Sequence, residues 1–263
     1  EDFVARMWSR ETYSAFWAQP DLGAAPYYDR FTDAPMVFMS SWYDPYALSA
    51  TDNYARFSRS KTGPVKLIMG PWTHGQRSVS YAGDVDFGSQ ATLDRHLAPD
   101  YVALRRAWFD RWLKGQAAPD YLEAPVSLFV MGGGSGRRTL EGRLDHGGYW
   151  RAEADWPLPG TVFTDFHLHA DGGLSPQAAT PGERVWRHDP ATALPTIGGA
   201  IASGAPVMEA GGFDQREAPG VFGATVIGRA LADRDDVLVF QTAPLAEAVE
   251  VTGPITARLS VSS

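Results

Sequence analysis

The sequence has 263 residues, 44% of them hydrophobic and 21% charged, proportions that exclude a disordered or collagen-like chain. A net charge of -8 leaves no basic face for phosphate and argues against a nucleic-acid partner, and no apolar run reaches the roughly 18 residues of a membrane span. Cysteine is absent, which removes disulfides, thiolate metal sites and a thiol nucleophile from consideration.

In chain order, the first predicted element is a strand. Pro35 to Trp42 (PMVFMSSW) is a short, continuous apolar run of the kind that is buried on both faces of a sheet. Ala47 to Ser60 follows as a helix, with Ala47, Ala50, Tyr54 and Phe57 on one face and Gly63-Pro64 to break it. Pro64 to Met69 (PVKLIM) reads as a second buried strand. After a loop, Asp100 is placed to cap a helix that carries Tyr101, Leu104, Trp108 and Trp112 on one side, with Gly115 at its end. Strand, helix, strand, helix is the order of a parallel α/β sheet.

From about Ala124 the character changes. Short strand-like runs at Val126 to Met131, Val162 to His169, Asp236 to Gln241 and Ile255 to Ser262 are separated by Gly, Pro and Asp, without a helical period. That pattern predicts an all-β sandwich or jelly roll, and the boundary falls around Gln116 to Asp120. Gly132 to Gly136 (GGGSG) lacks the spacing of a phosphate or dinucleotide loop and reads as a turn. The basic residues are twenty arginines and only Lys61, Lys66 and Lys114, a compositional bias. No positively charged stretch followed by an apolar core opens the chain. It begins at Glu1 and stops directly after a strand-like run, so both ends read as cut.

Two residues stand where chemistry would need them. Asp44 follows the first strand in Ser-Trp-Tyr-Asp-Pro, and His74 follows the second in Gly-Pro-Trp-Thr-His-Gly. In an open parallel sheet the ligand crevice lies beyond the carboxyl ends of the strands. An Asp that accepts the Nδ1 proton of a His fixes its tautomer and leaves Nε2 to act as a base. Asp before His is also the order of an α/β-hydrolase triad. The competing reading is structural: Asp44-Pro45 opening the helix as a turn or cap, and His74 as a satisfied loop residue.

Three motifs favour the first reading: SWYD at Ser41 to Asp44, GPWTHG at Gly70 to Gly75 and WFDRWLKG at Trp108 to Gly115. In this order they resemble the last part of the catalytic domain of the cocaine-esterase-like and X-Pro dipeptidyl-peptidase-like hydrolases, the CocE/NonD family. The likeness continues through YWRAEADWPLPG at Tyr149 to Gly160, LHADGGLS at Leu168 to Ser175 and the segment from Asp236 to the end, which resemble that family's C-terminal jelly roll. The resemblance implies α/β plus all-β architecture. Residues 1–120 would be the C-terminal portion of an α/β-hydrolase domain, opening with the end of a helical cap region, and residues 121–263 a truncated jelly-roll β-sandwich. It makes Asp44 the triad acid and His74 the base, acting on a small-molecule ester, amide or peptide without metal or organic cofactor. Ser41 stands where the family more often has Gly.

The resemblance also implies a nucleophile in a G-x-S-x-G elbow ahead of the Asp, and the sequence has none. Gly133-Gly134-Ser135-Gly136-Arg137 comes nearest, in the wrong order and the wrong half. The expectation is therefore a chain that carries acid and base but neither nucleophile nor oxyanion hole. Trp42, Tyr43 and Trp72 flank the pair and are candidates for a substrate pocket, or else for packing the sheet edge. Thr196, Gly198 and Gly199 resemble a family segment near the active-site mouth. His167 and His169 alternate on one strand at a metal-compatible spacing but with no evident third ligand. Asp84, Asp86 and Asp94 read as a solvated acidic loop, and Trp108 with Trp112 as core. The alternative functions are a non-catalytic jelly-roll binding module and a natural remnant. Compartment, oligomeric state and substrate identity are not legible.

Overall fold

The computed structural model describes residues 2–201, 204 and 207–262. A short helix, α1 (Asp2–Trp8), precedes β1 (Met36–Tyr43), α2 (Ala47–Ser60) and β2 (Val65–Thr73). Two short strands, β3 (Tyr81–Ala82) and β4 (Val85–Asp86), lead to α3 (Tyr101–Lys114). Then come β5 (Val126–Met131), β6 (Leu144–Asp145), β7 (Gly148–Glu153), β8 (His167–Leu168) and β9 (Leu174–Ser175).

The principal sheet has the order β1-β2-β5-β7. β1, β2 and β5 run parallel, and β7 closes the series antiparallel to β5. β2 lies at its heart, and each of its faces has its own cover. Leu67 and Met69 join Ala50 and Tyr54 of α2, Leu128 of β5 and Trp156 in one core cluster. Ile68, between them, packs on the other face with Leu93, Leu104 of α3 and Leu122. A strand covered on both faces reads as a near-continuous apolar run rather than an alternation, which is why PVKLIM departs from apolar character only at Lys66.

The helices form where their sequences place them. On α2, Ala50, Thr51, Tyr54 and Phe57 are buried at intervals of three and four. Phe57 also receives the rings of Tyr28 and Phe31 from the segment before β1, at 4.8 and 5.0 Å. The Asp100 carboxylate accepts the Ala103 N–H at 2.7 Å and opens α3. At the other end Gly115 and Gln116 return their N–H groups to Arg111 and Asp110 carbonyls. Leu104 of α3 is buried, whereas Trp112, expected in the core, is 38% exposed.

The second half differs more from its expectation. Val126–Met131, read as the first strand of the all-β half, is the third strand of the α/β sheet: Leu67, Ile68 and Met69 pair with Val126, Ser127 and Leu128. Of Val162 to His169 only His167 and Leu168 are in a ladder, with Ser175 and Leu174. Gln241 forms an isolated bridge to Gly173, and Ile255 to Ser262 is in no ladder. Alternating apolar residues mark a strand's two faces, but a ladder also needs a partner in register. Ile255, Leu259 and Val261 lie exposed, without such a partner among the described residues.

Candidate active site

β1 and β2 run in register from Met36↔Val65 to Ser41↔Gly70, and after an irregularity Tyr43 pairs with Thr73. The next residue on each strand is Asp44 on one and His74 on the other. Parallel strands carry their successors off the same edge of the sheet, so these two side chains emerge together. Asp44 Oδ2 lies 3.1 Å from His74 Nδ1. The carboxylate is nearly buried, and the His74 side chain is 64% exposed.

Asp44 also performs the structural task that competed with this pairing. Its Oδ1 accepts the Tyr46 N–H at 2.9 Å, and its carbonyl accepts the Ala47 N–H at 3.0 Å where α2 begins. One carboxylate thus opens the helix with one oxygen and meets the imidazole with the other. Both bonds fix its orientation, and a nearly buried carboxylate with a donor on each oxygen avoids the cost of unpaired burial.

Local geometry on the His side follows from the glycines of GPWTHG. A methyl group at Gly70 would overlap the Trp72 indole, so the motif leaves Cβ out to let that ring fold back over the strand. Gly75 takes φ +78°, a left-handed conformation that favours glycine, and the Gln76 N–H returns to the Thr73 carbonyl at 3.1 Å. The chain therefore turns sharply around His74 and presents its ring at the rim. Among the described residues Asp44 is the only hydrogen-bond partner of that ring, and Nε2 has none.

Of the three aromatic pocket candidates, two have their rings committed elsewhere. Trp42 donates its indole N–H to the Phe129 carbonyl at 2.7 Å and packs near Trp156. Trp72 donates to the Ala91 carbonyl at 2.8 Å, lies against Trp150, and is 3% exposed. Tyr43 is half-buried, its ring 6.2 Å from that of Phe87, and burial raises its phenol above the ordinary value. The aromatic ring that does meet the imidazole is Tyr46, edge-on at 5.4 Å and largely exposed. The sequence signal for it is its position two residues after Asp44, on the turn that Asp44 itself closes.

The remaining candidates make no hydrogen bond to the His74 ring among the described residues. Gly199 and Gly211 exchange backbone hydrogen bonds at 2.7 and 3.1 Å, and Gly212 bonds Ala82 and Asp84. The segment of Gly198 and Gly199 is thereby tied to the β3–β4 hairpin, with Gly212 against Tyr43. Ser135 donates to Asp145 at 2.6 Å in the β5–β6 connection. His169 Nε2 meets Ser175 Oγ at 2.8 Å. Asp86 serves Ser80 and the Gly88 N–H, and Asp94 serves Ser78 and the Tyr101 N–H. Among the described residues no three His, Asp or Glu side chains form a group able to hold a metal ion.

Comparison with known proteins sets this geometry in context. Residues 1–76 match the X-Pro dipeptidyl-peptidase (S15) family, and residues 121–263 match the X-Pro dipeptidyl-peptidase C-terminal non-catalytic domain. A cocaine esterase of Rhodococcus sp. (strain MB1 Bresler) is 30% identical over 241 residues, covering 87% of this chain. The chain spans 36% of that relative's length. Two crystal structures of a CocE/NonD family hydrolase from Staphylococcus aureus align with TM-scores of 0.43 and 0.44 at 15% identity, over 67% of this chain and 26% of theirs. With more than half of its residues matched by the C-terminal domain family and its opening by the peptidase family, the chain belongs to the X-Pro dipeptidyl-peptidase and cocaine-esterase-like (CocE/NonD) family of hydrolases.

Proposed function

We propose that this chain carries the acid and the base of a serine hydrolase that cleaves acyl ester or amide bonds. The observation that carries this reading is the 3.1 Å contact between Asp44 Oδ2 and His74 Nδ1 at the ends of paired parallel strands, with Nε2 unpartnered. Nε2 takes the proton of an attacking serine hydroxyl, and Asp44 holds the ring and stabilises the imidazolium. His74 then protonates the departing alcohol or amine, and water, deprotonated in turn by Nε2, releases the acyl group. Tyr46 stands edge-on beside the ring.

The nucleophile and oxyanion donors come, on this reading, from a segment outside residues 1–263. The sequence contains no G-x-S-x-G, and His74 has no hydroxyl partner among the described residues. Residues 1–120 are then the C-terminal portion of an α/β-hydrolase domain and residues 121–263 a jelly-roll-like domain whose first strand, β5, extends the catalytic sheet. One relative is named an esterase and the matched families are named for an X-Pro dipeptidyl-peptidase. Both are acyl transfers to water, so the reaction class is shared even though the substrates differ.

The test compares p-nitrophenyl acetate hydrolysis and fluorophosphonate labelling by residues 1–263 and by a longer protein that includes the upstream segment. The chain alone is expected to show no turnover above buffer, and the longer protein to hydrolyse, to label, and to lose turnover on His74→Ala. Turnover by the chain alone that disappears in His74→Ala would place the nucleophile within it. Unimpaired turnover by a His74→Ala long form would remove the reading altogether.

A further inference from the structure

Lys66 is the second residue of β2, within the stretch that is buried from Lys66 to Trp72. It is 2% exposed. An ammonium in such a place costs several kcal/mol unless a counter-charge accompanies it. Its partners are both neutral: the Ala124 carbonyl and the Ser127 hydroxyl, the latter at 3.2 Å. An ammonium has three N–H donors, so one is left without an acceptor among the described residues, and no carboxylate there pairs with it. Burial alone pushes the amine down to about 8.

Lys66 lines a cleft of about 280 Å³ together with Trp108, Arg111 and Trp112 of α3, Leu122 and Pro125. The cleft opens where β2 and β5 begin, at the far end of β2 from His74. The Arg111 guanidinium lies 5.4 Å from the Trp112 ring, and its other engagement is a long, 3.5 Å bond to the Gln116 carbonyl. Glu123 is the single acid on the wall, so the two cations leave it with a net positive charge. Both indoles belong to the same wall, and Trp112 is the α3 residue that was expected in the core but lies part-exposed beside this opening.

We propose that this cleft is a binding site for a small aromatic carboxylate, with its carboxylate between Lys66 and Arg111 and its ring against Trp108 and Trp112. A neutral apolar ligand would cover the cleft and leave the buried ammonium still short of an acceptor. A cation would meet two like charges, and a bare inorganic anion would gain nothing from the indoles. An aromatic acid satisfies the unfilled N–H, neutralises the buried charge and stacks on the walls at once. The assignment is independent of the Asp44–His74 reading, because the two places lie at opposite ends of the strand.

The experiment titrates the 263-residue chain with 1-naphthoate, and in parallel with its neutral counterpart 1-naphthalenemethanol, by calorimetry and tryptophan fluorescence. Saturable one-to-one binding of the acid is expected, with the alcohol weaker by about tenfold or more. Lys66→Met, which keeps the length of the side chain and removes the buried charge, should weaken the acid by a similar factor while far-UV circular dichroism stays unchanged. Arg111→Gln, on an exposed position, should also weaken it, and it decides the matter should Lys66→Met fail to fold. Equal affinity for acid and alcohol, affinity unchanged in the folded variants, or no saturable binding would overturn the proposal. So would self-association of the chain that Trp112→Ala abolishes without any naphthoate binding, which would assign the face to contact between copies.

Discussion

Tyr43 pairs with Thr73 across β1 and β2, and each is followed directly by one of the two residues in contact, Asp44 and His74. A separation of thirty positions along the chain is thereby reduced to a contact of 3.1 Å between Asp44 and His74. The pairing depends on register. A strand slipped by one residue turns every side chain to the opposite face, so the apolar fit of β1 and β2 on both faces also sets the geometry of the rim.

Replacing the acid tests the orientation that this geometry provides. Asp44→Asn keeps an acceptor for the Tyr46 N–H but removes the charge that holds the imidazole. On the proposed reading, in a longer protein that carries the nucleophile, kcat for p-nitrophenyl acetate should fall by about 10⁴-fold, as for the acid of a serine triad, with little change in KM. A loss carried mainly by KM would instead make Asp44 a residue that shapes the pocket.

Tyr46 offers the contrasting case. Its backbone N–H holds Asp44 while its ring stands edge-on to His74. Tyr46→Ala keeps the first and removes the second. KM should rise several-fold, on the order of 1 kcal/mol of binding, and kcat should be nearly unchanged. Steady-state kinetics separates the two.

Gly70 is predicted to be intolerant of even a methyl group. The indole of Trp72 occupies the place a Cβ would take and is itself tied to the Ala91 carbonyl at 2.8 Å. Gly70→Ala forces that ring to move, and overpacking of this kind costs about 1–3 kcal/mol. The midpoint of urea unfolding should fall accordingly, with an unchanged slope.

Glu217 gives a prediction in pH. It is buried, accepts the Val226 N–H at 2.9 Å and the Thr225 N–H, and meets Arg229 Nε at 2.7 Å. The Val226 N–H is the largest of the causes that hold its carboxyl at about 2, well below its ordinary 4.5, against the opposing effect of burial. Because the folded value lies below the unfolded one, the stabilisation is present above the ordinary carboxylate range. It is lost as the pH falls from 4.5 toward 2. Protection of the Thr225 and Val226 amides against hydrogen exchange, taken relative to the intrinsic rate at each pH, should fall over that interval, and Glu217→Gln should show low protection without the acid dependence.

The sequence determined the local elements closely. Apolar spacing marked α2, and Asp100 and Gly115 marked the ends of α3. Largely apolar runs marked β1 and β2, and their motifs singled out Asp44 and His74. These are properties of neighbouring residues: a cap needs an oxygen three residues before a free N–H, and a buried face needs a period.

What the tertiary structure decided is what depends on partners far along the chain. Periodicity says that a face is covered, not by what. Only the fold shows that Val126–Met131 continues the α/β sheet, that Trp42 and Trp72 spend their N–H groups on the carbonyls of Phe129 and Ala91, and that Tyr46 meets the imidazole. It likewise shows that Lys66, one letter in an apolar run, is enclosed on the wall of a cleft it shares with two indoles, with no carboxylate partner among the described residues. The physical reason is common to all of these. Register, the identity of a covering face and the balance of a buried charge are relations between distant segments, fixed only when those segments pack.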